Sequence, residues 1–382
     1  MPTVRLKELP EEARVGRAEL LAAWPRDPLL DLASPTPPSE PGGCGAHPQV
    51  TRHPWVSCPE LCRNRLMLFK ESLATAYGDV ATHKLMLTDT VRTEAYARAI
   101  QAVVRPRYRV LDFGCGTGIL SLFAARAGAK AVYAIDRSPM IRAAAAIARD
   151  NGFDNISFIY ADDETVALPH RVDVLISEWM GNFVFGDLMF KPLLRLRDRF
   201  LKKGGIMIPE RITLYAGLLR DEALYHDLNY FRCRPYGFDY SHVGEWSFYR
   251  TAVLQLAPGQ VLQPSVEVAV FDLRTLKRPP EALDATLTPQ TATAVYGICG
   301  WFDVHLARDI AFGTGPSAAP THWHQMLFPL REPFEVSPGR PVHIQLRPLR
   351  DRTGTGVLWQ WSISDGARTV EMDDFSHLAQ VT

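Results

Sequence analysis

Val110-Leu111-Asp112-Phe113-Gly114-Cys115-Gly116-Thr117-Gly118, followed by Ala134-Ile135-Asp136, reads as strand, glycine loop, helix, second strand and an acidic strand end. Residues 109–111 are a short apolar strand. The three glycines let the backbone turn tightly and let a ligand approach it closely. Residues 119–127 carry a helical pattern, and Gly128 supplies its C-terminal stop. The next apolar run, 131–135, ends at Asp136, 18 residues after Gly118. A carboxylate there can accept both hydroxyls of a ribose. The stretch predicts a nucleoside site in an α/β fold; the plainer alternative is a tight turn in such a fold.

Charge narrows the ligand. A dinucleotide loop runs G-x-G-x-x-G and aims a helix N-terminus at a pyrophosphate. Here the run is Gly-Cys-Gly-Thr-Gly, with Asp112 two residues ahead of it. An acid in the loop repels a pyrophosphate and attracts a cation. S-adenosylmethionine, with an ammonium and a sulfonium and no phosphate, suits it better than NAD.

Working outward, residues 109–111, 131–135, 156–160, 172–176 and 205–208 are strands that alternate with helices, which implies a parallel sheet covered on both faces. Upstream, 66–104 is helical, and Asp89 stands just before a well-patterned helix. Residues 1–62 read as a poorly ordered extension, with a short helix within 6–24 and a Pro-rich linker at 34–43. After Pro209 strand-like runs dominate at 212–218, 251–256, 266–272, 292–305, 342–346 and 357–362, which suggests an antiparallel sheet or barrel. The aromatic-rich piece 221–241 interrupts it and carries too much apolar surface for a free loop, so it is expected to dock onto a partner or onto its own barrel. The predicted organisation is thus 1–62, a Rossmann-like domain at 63–209 with a helical cover, and a β-barrel-like domain at 210–382.

At 382 residues there is chain enough for two cores, and a formal net charge of zero supplies no global attraction to nucleic acid. No apolar run is long enough for a membrane span, and the first thirty residues lack a signal-peptide core. The expectation is an intracellular protein, cytoplasmic with the nucleus left open. Cys44, Cys58 and Cys62, with His47 and His53 between them, match no tight zinc spacing, so no metal is expected.

Ser177-Glu178-Trp179-Met180-Gly181-Asn182-Phe183-Val184-Phe185-Gly186-Asp187-Leu188-Met189 follows the fourth strand, at the sheet edge where open α/β folds bind ligands. Glu178 and Asp187 bracket an apolar loop. Two acids so placed repel each other unless a cation sits between them, and a guanidinium fork suits that place. Otherwise Glu178 caps a turn and Asp187 caps a helix at 188–201.

With these pieces in order, the chain resembles the protein arginine methyltransferases over about residues 65–370. Residues 77–93 look like the helical cover, 110–121 the cofactor loop, 162–169 the adenine-side segment, 177–189 the double-acid hairpin, and Thr321-His322-Trp323 the barrel's T-H-W loop. The resemblance implies transfer of methyl groups from S-adenosylmethionine to arginine residues in proteins, Arg/Gly-rich segments among them, by a homodimer joined through 221–241. It implies that Arg92 holds the cofactor carboxylate beside His83, and that Asp112, Gly114 and Gly116 surround the methionine portion. Asp136 takes the ribose, Asp163 and Glu164 lie near the adenine, and Glu178 and Asp187 clamp the guanidinium. Tyr77, Met86, Met189 and Trp323 wall the substrate site, and Asp89 pairs with His322 as proton acceptor. Two positions depart from the family: its second hairpin acid is usually Glu, here Asp187, and its aromatic pair upstream of Tyr77 is here Leu73 and Ala74. These departures also suit a same-fold methyltransferase of another substrate, or a weakly active cofactor-binding subunit of a complex.

Overall fold

In a computed structural model, residues 79–186, 189–350 and 356–374 are described. Tyr77, Asp187, Leu73, Ala74, the extension at 1–62 and the Cys44/Cys58/Cys62 group lie outside them. Two helices open the described chain, α1 (Val80–Thr88) and α2 (Thr90–Val103). Asp79 caps α1 by accepting from Ala81 N, and Asp89 both ends α1 and caps α2 by accepting from Arg92 N. Ala95, Tyr96, Ala99, Ile100 and Val103 recur every three or four residues on α2 and are all buried.

The parallel sheet then forms from β1 (Arg109–Phe113), β2 (Ala131–Asp136), β3 (Ile156–Tyr160), β4 (Val172–Ile176) and β5 (Leu201–Ile208). Helices α3 (Ile119–Arg126), α4 (Met140–Asp150) and α5 (Phe190–Phe200) connect them. The order β3-β2-β1-β4-β5 changes direction between β1 and β4. Loops leaving those two strands part to opposite sides, and the crevice between them is where such sheets bind ligands. β1 and β4 are almost wholly buried, as covered parallel strands must be. β5 starts four residues earlier than the sequence pattern suggests. Its register against β4 jumps between Val172 and Val174, and Gly204, at φ 73°, absorbs the extra residues.

Beyond Pro209 the strands form two antiparallel sheets. One runs β7-β12-β10-β6-β8, with β11 on β10; the other runs β15-β14-β13-β9. Their ranges are β6 (Arg211–Leu219), β7 (Ala252–Leu254), β8 (Val261–Asp272), β9 (Leu283–Leu287), β10 (Thr293–Ala307), β11 (Ile310–Gly313), β12 (Gln325–Val336), β13 (Val342–Arg350), β14 (Val357–Ser364) and β15 (Thr369–Asp373). Phe328 of β12 packs against Trp359 and Trp361 of β14, joining the sheets through one core. β12 escapes a sequence reading because Pro329 and Pro333 interrupt it; between the pairs Val295–Phe334 and Gly297–Pro329 the register shifts, with residues 330–333 of β12 facing a single residue of β10, and Pro333 lies in that irregular stretch.

Between β6 and β7 lie α6 (Glu222–Leu228), two 3-10 turns (Tyr230–Cys233 and Pro235–Gly237) and α7 (Ser241–Trp246), so the helical insert runs beyond residue 241. Its base docks on its own sheet. The Tyr225 ring lies 4.9 Å from that of Tyr296, and its hydroxyl donates to the Arg331 carbonyl at 3.0 Å. Its tip exposes Tyr230, Tyr236, Phe238 and Tyr240. Docking onto its own sheet therefore holds for the base of the segment, where Tyr225 is an internal anchor, and the rings beyond it are exposed.

Candidate active site at the carboxyl edge of the parallel sheet

The glycine loop is held against β2 by two hydrogen bonds, from Gly114 N and Cys115 N to the Ile135 carbonyl at 2.9 and 3.0 Å. Gly114, Gly116 and Gly118 have φ of 72°, 51° and 82°, a region that side chains rarely enter. A Cβ on Gly116 would lie 2.8 Å from Cε1 of His83, so the imidazole on α1 rests directly on the loop. A Cβ on Gly114 would meet Cε of Met189 at 3.7 Å from the other chain segment. His83 and Met189 thus flank the loop. Asp136 accepts from Gly116 N at 2.8 Å through Oδ2 and from Ser138 N at 2.7 Å through Oδ1. Each oxygen keeps a second lone pair, so the same carboxylate that shapes the loop can also accept ribose hydroxyls.

Asp112 lies beneath the loop, wholly buried. Its Oδ2 accepts from Ser121 Oγ at 2.6 Å, while Oδ1 has no partner among the described residues. Burial pushes its carboxyl up to about 7, against the Ser121 hydrogen bond and with the help of the Asp136 charge. A buried, half-satisfied carboxylate behind an open glycine loop fits a cationic ligand that brings donors with it.

Opposite the loop, Arg92 and Glu178 form a buried ion pair. Nη2 and Nε of Arg92 reach Glu178 Oε2 at 2.8 and 3.1 Å, and Nη1 donates to the Met86 carbonyl at 3.3 Å. The other Glu178 oxygen accepts from Met180 N at 3.2 Å. The residue expected to hold a cofactor carboxylate and the one expected to hold a guanidinium therefore hold each other. Tyr96 supports the pair from below, donating to the Ser177 carbonyl at 3.2 Å. Burial, with the Glu178 charge adding to it, raises the Tyr96 phenol well above its usual range. Ser177 Oγ in turn donates to the Phe113 carbonyl at 2.7 Å, tying the ends of β1 and β4 together.

Asp89 and His322 meet as expected, although 233 residues separate them. Asp89 Oδ2 lies 2.7 Å from His322 Nδ1 and accepts from His322 N at 2.9 Å. Burial opposes ionisation of Asp89, but the His322 side chain and the backbone N–H groups of Arg92 and His322 outweigh it and hold the carboxyl below its usual value.

The hairpin after Glu178 is pinned by the antiparallel domain. Phe183 and Val184 adopt φ of 48° and 69°, a left-handed conformation unfavourable for a β-branched residue. Their burial over-determines it: the Phe183 ring packs on Phe328 and Trp359, and Phe185 packs on Phe190, Phe271 and Trp359. Trp323 was expected to wall the substrate site. It is instead 3% exposed, stacks on Phe312, and spends its indole N–H on the Met180 carbonyl at 2.5 Å. It props the hairpin from behind, a role the T-H-W spacing does not reveal.

Asp163 and Glu164 sit after β3 and are joined by Arg195 of α5, at 2.5 and 2.8 Å. Arg199, one turn on, donates to the carbonyls of Asp163 and Val166 at 2.7 and 2.9 Å. Neither arginine was singled out in the sequence, although their four-residue spacing on a patterned helix is a usable sign of one shared face.

A switch-point glycine loop backed by a buried acid, with a carboxylate at the β4 end, defines an S-adenosylmethionine-binding methyltransferase domain, and a family model described as a methyltransferase domain matches residues 105–246. The model of the arginine methyltransferase oligomerization subdomain matches residues 210–359. The chain is 38% identical over 275 residues to protein arginine N-methyltransferase 1 of Chlamydomonas reinhardtii, covering 69% of this chain and 79% of that protein. It is 35% identical over 298 residues to protein arginine N-methyltransferase 1 of Saccharomyces cerevisiae, covering 74% and 85%. Among solved structures it is similar to the PRMT1 enzyme-prozyme heterotetrameric complex of Trypanosoma brucei with AdoHcy, with a TM-score of 0.72 at 27% identity over 78% of this chain and 98% of that one. Arginine methyltransferase 10 of Arabidopsis thaliana follows at a TM-score of 0.68 and 26% identity, again over 78% and 98%. The chain belongs to the protein arginine N-methyltransferase family.

Proposed function

We propose that this chain transfers methyl groups from S-adenosylmethionine to guanidinium nitrogens of arginine residues in other proteins. The observation that carries the reading is the Glu178 carboxylate. It is buried at the end of β4, beside the glycine loop, and one of its oxygens already accepts two N–H groups of a guanidinium, that of Arg92. When bound, S-adenosylmethionine supplies a methyl group on a sulfonium. Arg92 is suited to turn toward its carboxylate, which releases Glu178 for a substrate guanidinium, and Asp187 supplies the second carboxylate of the clamp. A free guanidinium is a poor nucleophile because it is protonated up to a pKa above about 12. Carboxylates on one side draw its positive charge toward themselves and leave electron density on the nitrogen facing the methyl. Asp89 on Nδ1 of His322 fixes the tautomer that leaves Nε2 able to accept the proton released. Most of the acceleration comes from alignment, an effect worth about 7 to 11 kcal/mol at best.

The substrates proposed are accessible arginines, Arg/Gly-rich segments among them. The assembly proposed is a homodimer through the exposed rings of the helical insert, consistent with the oligomerization subdomain matched at 210–359. Incubation with labelled S-adenosylmethionine and an Arg/Gly-rich peptide, followed by mass spectrometry of the arginines, tests the function. Label on arginine that is lost in Glu178→Gln supports it. Cofactor binding with label only on other residues points to a same-fold methyltransferase of another substrate. Cofactor binding with no transfer at all points to a regulatory subunit. Either result sinks the proposal.

A further inference from the structure

Arg195 and Arg199 lie one turn apart on α5 and face the segment at 162–166 together. Toward that segment Arg199 donates to backbone, to the carbonyls of Asp163, Glu164 and Val166 at 2.7, 3.4 and 2.9 Å, and its guanidinium also lies 4.7 Å from the centre of the Phe200 ring. Arg195 reaches side chains, Asp163 Oδ2 at 2.5 Å and Glu164 Oε1 at 2.8 Å. The two carboxylates differ in freedom. Asp163 is nearly buried, whereas the Glu164 side chain is 67% exposed and its Oε2 accepts no hydrogen bond from the described residues. A glutamate on an exposed loop samples many rotamers, and one fixed partner selects among them at little cost to an already ordered helix. Helix α5 begins at Phe190, directly after Met189, whose Cε approaches the glycine loop at Gly114. The helix therefore spans from the reacting centre to the 162–166 segment and sets both from one rigid body.

We infer that Arg195 is a positioning residue for recognition of the cofactor's 6-amino group: by taking one oxygen of Glu164, it holds the other where an adenine amine can donate to it. The inference rests on the reading of Asp163 and Glu164 as the adenine-side acids. The chemistry is selective. An exocyclic amine donates to a carboxylate, whereas a 6-keto group presents an acceptor to an acceptor and is repelled. Arg195 itself is half exposed, and ion pairs of that kind add little to stability, so its removal leaves the fold intact while releasing Glu164.

The test compares two ligands that differ at that one group, S-adenosyl-L-homocysteine and S-inosyl-L-homocysteine, by calorimetric Kd. The proteins are the full chain and its Arg195→Ala, Arg195→Lys and Glu164→Gln variants, each checked for an unchanged melting curve. The wild type is expected to prefer the amino ligand by on the order of tenfold or more, the worth of one hydrogen bond to a charged group. Arg195→Ala is expected to weaken the amino ligand alone and collapse the preference, with Arg195→Lys restoring part of it. In turnover, KM for S-adenosylmethionine rises while kcat with a saturating arginine peptide stays within about twofold, as loss of uniform binding requires. Equal weakening of both ligands by Arg195→Ala reduces Arg195 to a structural support and overturns the inference. Collapse of the preference in Glu164→Gln but not in Arg195→Ala overturns it too and leaves the adenine-side assignment standing. An intact preference in Glu164→Gln overturns that assignment itself.

Discussion

Replacing Asp112 by asparagine removes one charge from a wholly buried place and preserves its shape. The carboxyl titrates at about 7 in the fold against an ordinary value of 3.8. At about 1.4 kcal/mol per pH unit, keeping Asp112 ionised at pH 8 costs the ligand-free protein about 4 kcal/mol relative to the unfolded chain. The folded value lies above the unfolded one, so the folded protein keeps the proton between about pH 4 and pH 7. Stability therefore falls as pH rises through that window and levels off above it. Between pH 5.5 and pH 8 the Asp112 contribution to that fall is about 2 kcal/mol. Asparagine can still accept from Ser121 Oγ, so Asp112→Asn should lose this component and gain on the wild type by about 2 kcal/mol over the same interval. Urea denaturation of both proteins at the two pH values, without cofactor, measures it. S-adenosyl-L-homocysteine should reverse the ranking: its ammonium favours the charged form, so the variant binds it more weakly by on the order of tenfold or more. Equal pH dependence in the two proteins would refute the argument that Asp112 is held protonated for want of a cation.

Other expectations follow from single contacts. A Cβ on Gly300 would lie 2.7 to 2.8 Å from the Phe183 ring, so Gly300→Ala should push the hairpin, cost about 1 to 3 kcal/mol in denaturation and lower kcat more than it raises the cofactor KM. Full stability with full activity would show that the hairpin yields freely. Asp89→Asn should destabilise the protein at pH 7, and because the Asp89 carboxyl is held below 3.8, the gap in melting temperature should close as the pH drops below about 4. A gap that persists unchanged at pH 3 contradicts the view that Asp89 acts as a hydrogen-bonded carboxylate. Tyr236→Ser with Phe238→Ser, which alters only exposed rings, should shift sedimentation from dimer toward monomer without changing monomer stability. An unaltered dimer removes the tip as the contact. Asp187→Glu adds one methylene to the proposed clamp and should change the rate or the mono- to dimethylarginine ratio, read by mass spectrometry.

The parallel sheet was legible because its strands are buried on both faces and therefore appear as unbroken apolar runs, and because a glycine loop is punctuation that few other structures need. Asp89 and His322 were legible only through resemblance; no local pattern links residues 233 positions apart. β12 was hidden by Pro329 and Pro333, since prolines inside a strand argue against it until the strand's own bulge at residues 330–333 is seen. Trp323 was misjudged because a sequence motif fixes where a residue lies along the chain and not which way its ring turns. Arg195 and Arg199 went unnoticed because their partners are a loop whose position depends on the whole sheet. The Arg92–Glu178 pair was out of reach for a different reason: each side chain had been matched to a ligand, and nothing local in the sequence brings two residues 86 positions apart within reach of each other.

The left-handed turn at Phe183 and Val184 has a consequence for how the molecule can be divided. Its conformation is unfavourable by itself and persists because aromatic rings from β12 and β14 close around it. The chain before Pro209 holds the glycine loop, Asp136 and Glu178, yet the shape of the loop that follows Glu178 is dictated by residues more than a hundred positions later. A fragment ending at Pro209 would keep the means to bind a nucleoside and lose the means to aim a carboxylate. Recombining the first half of one family member with the second half of another therefore exchanges more than a substrate surface: it resets the catalytic hairpin, and such chimaeras should succeed only where the rings around positions 183 and 185 are exchanged as a set.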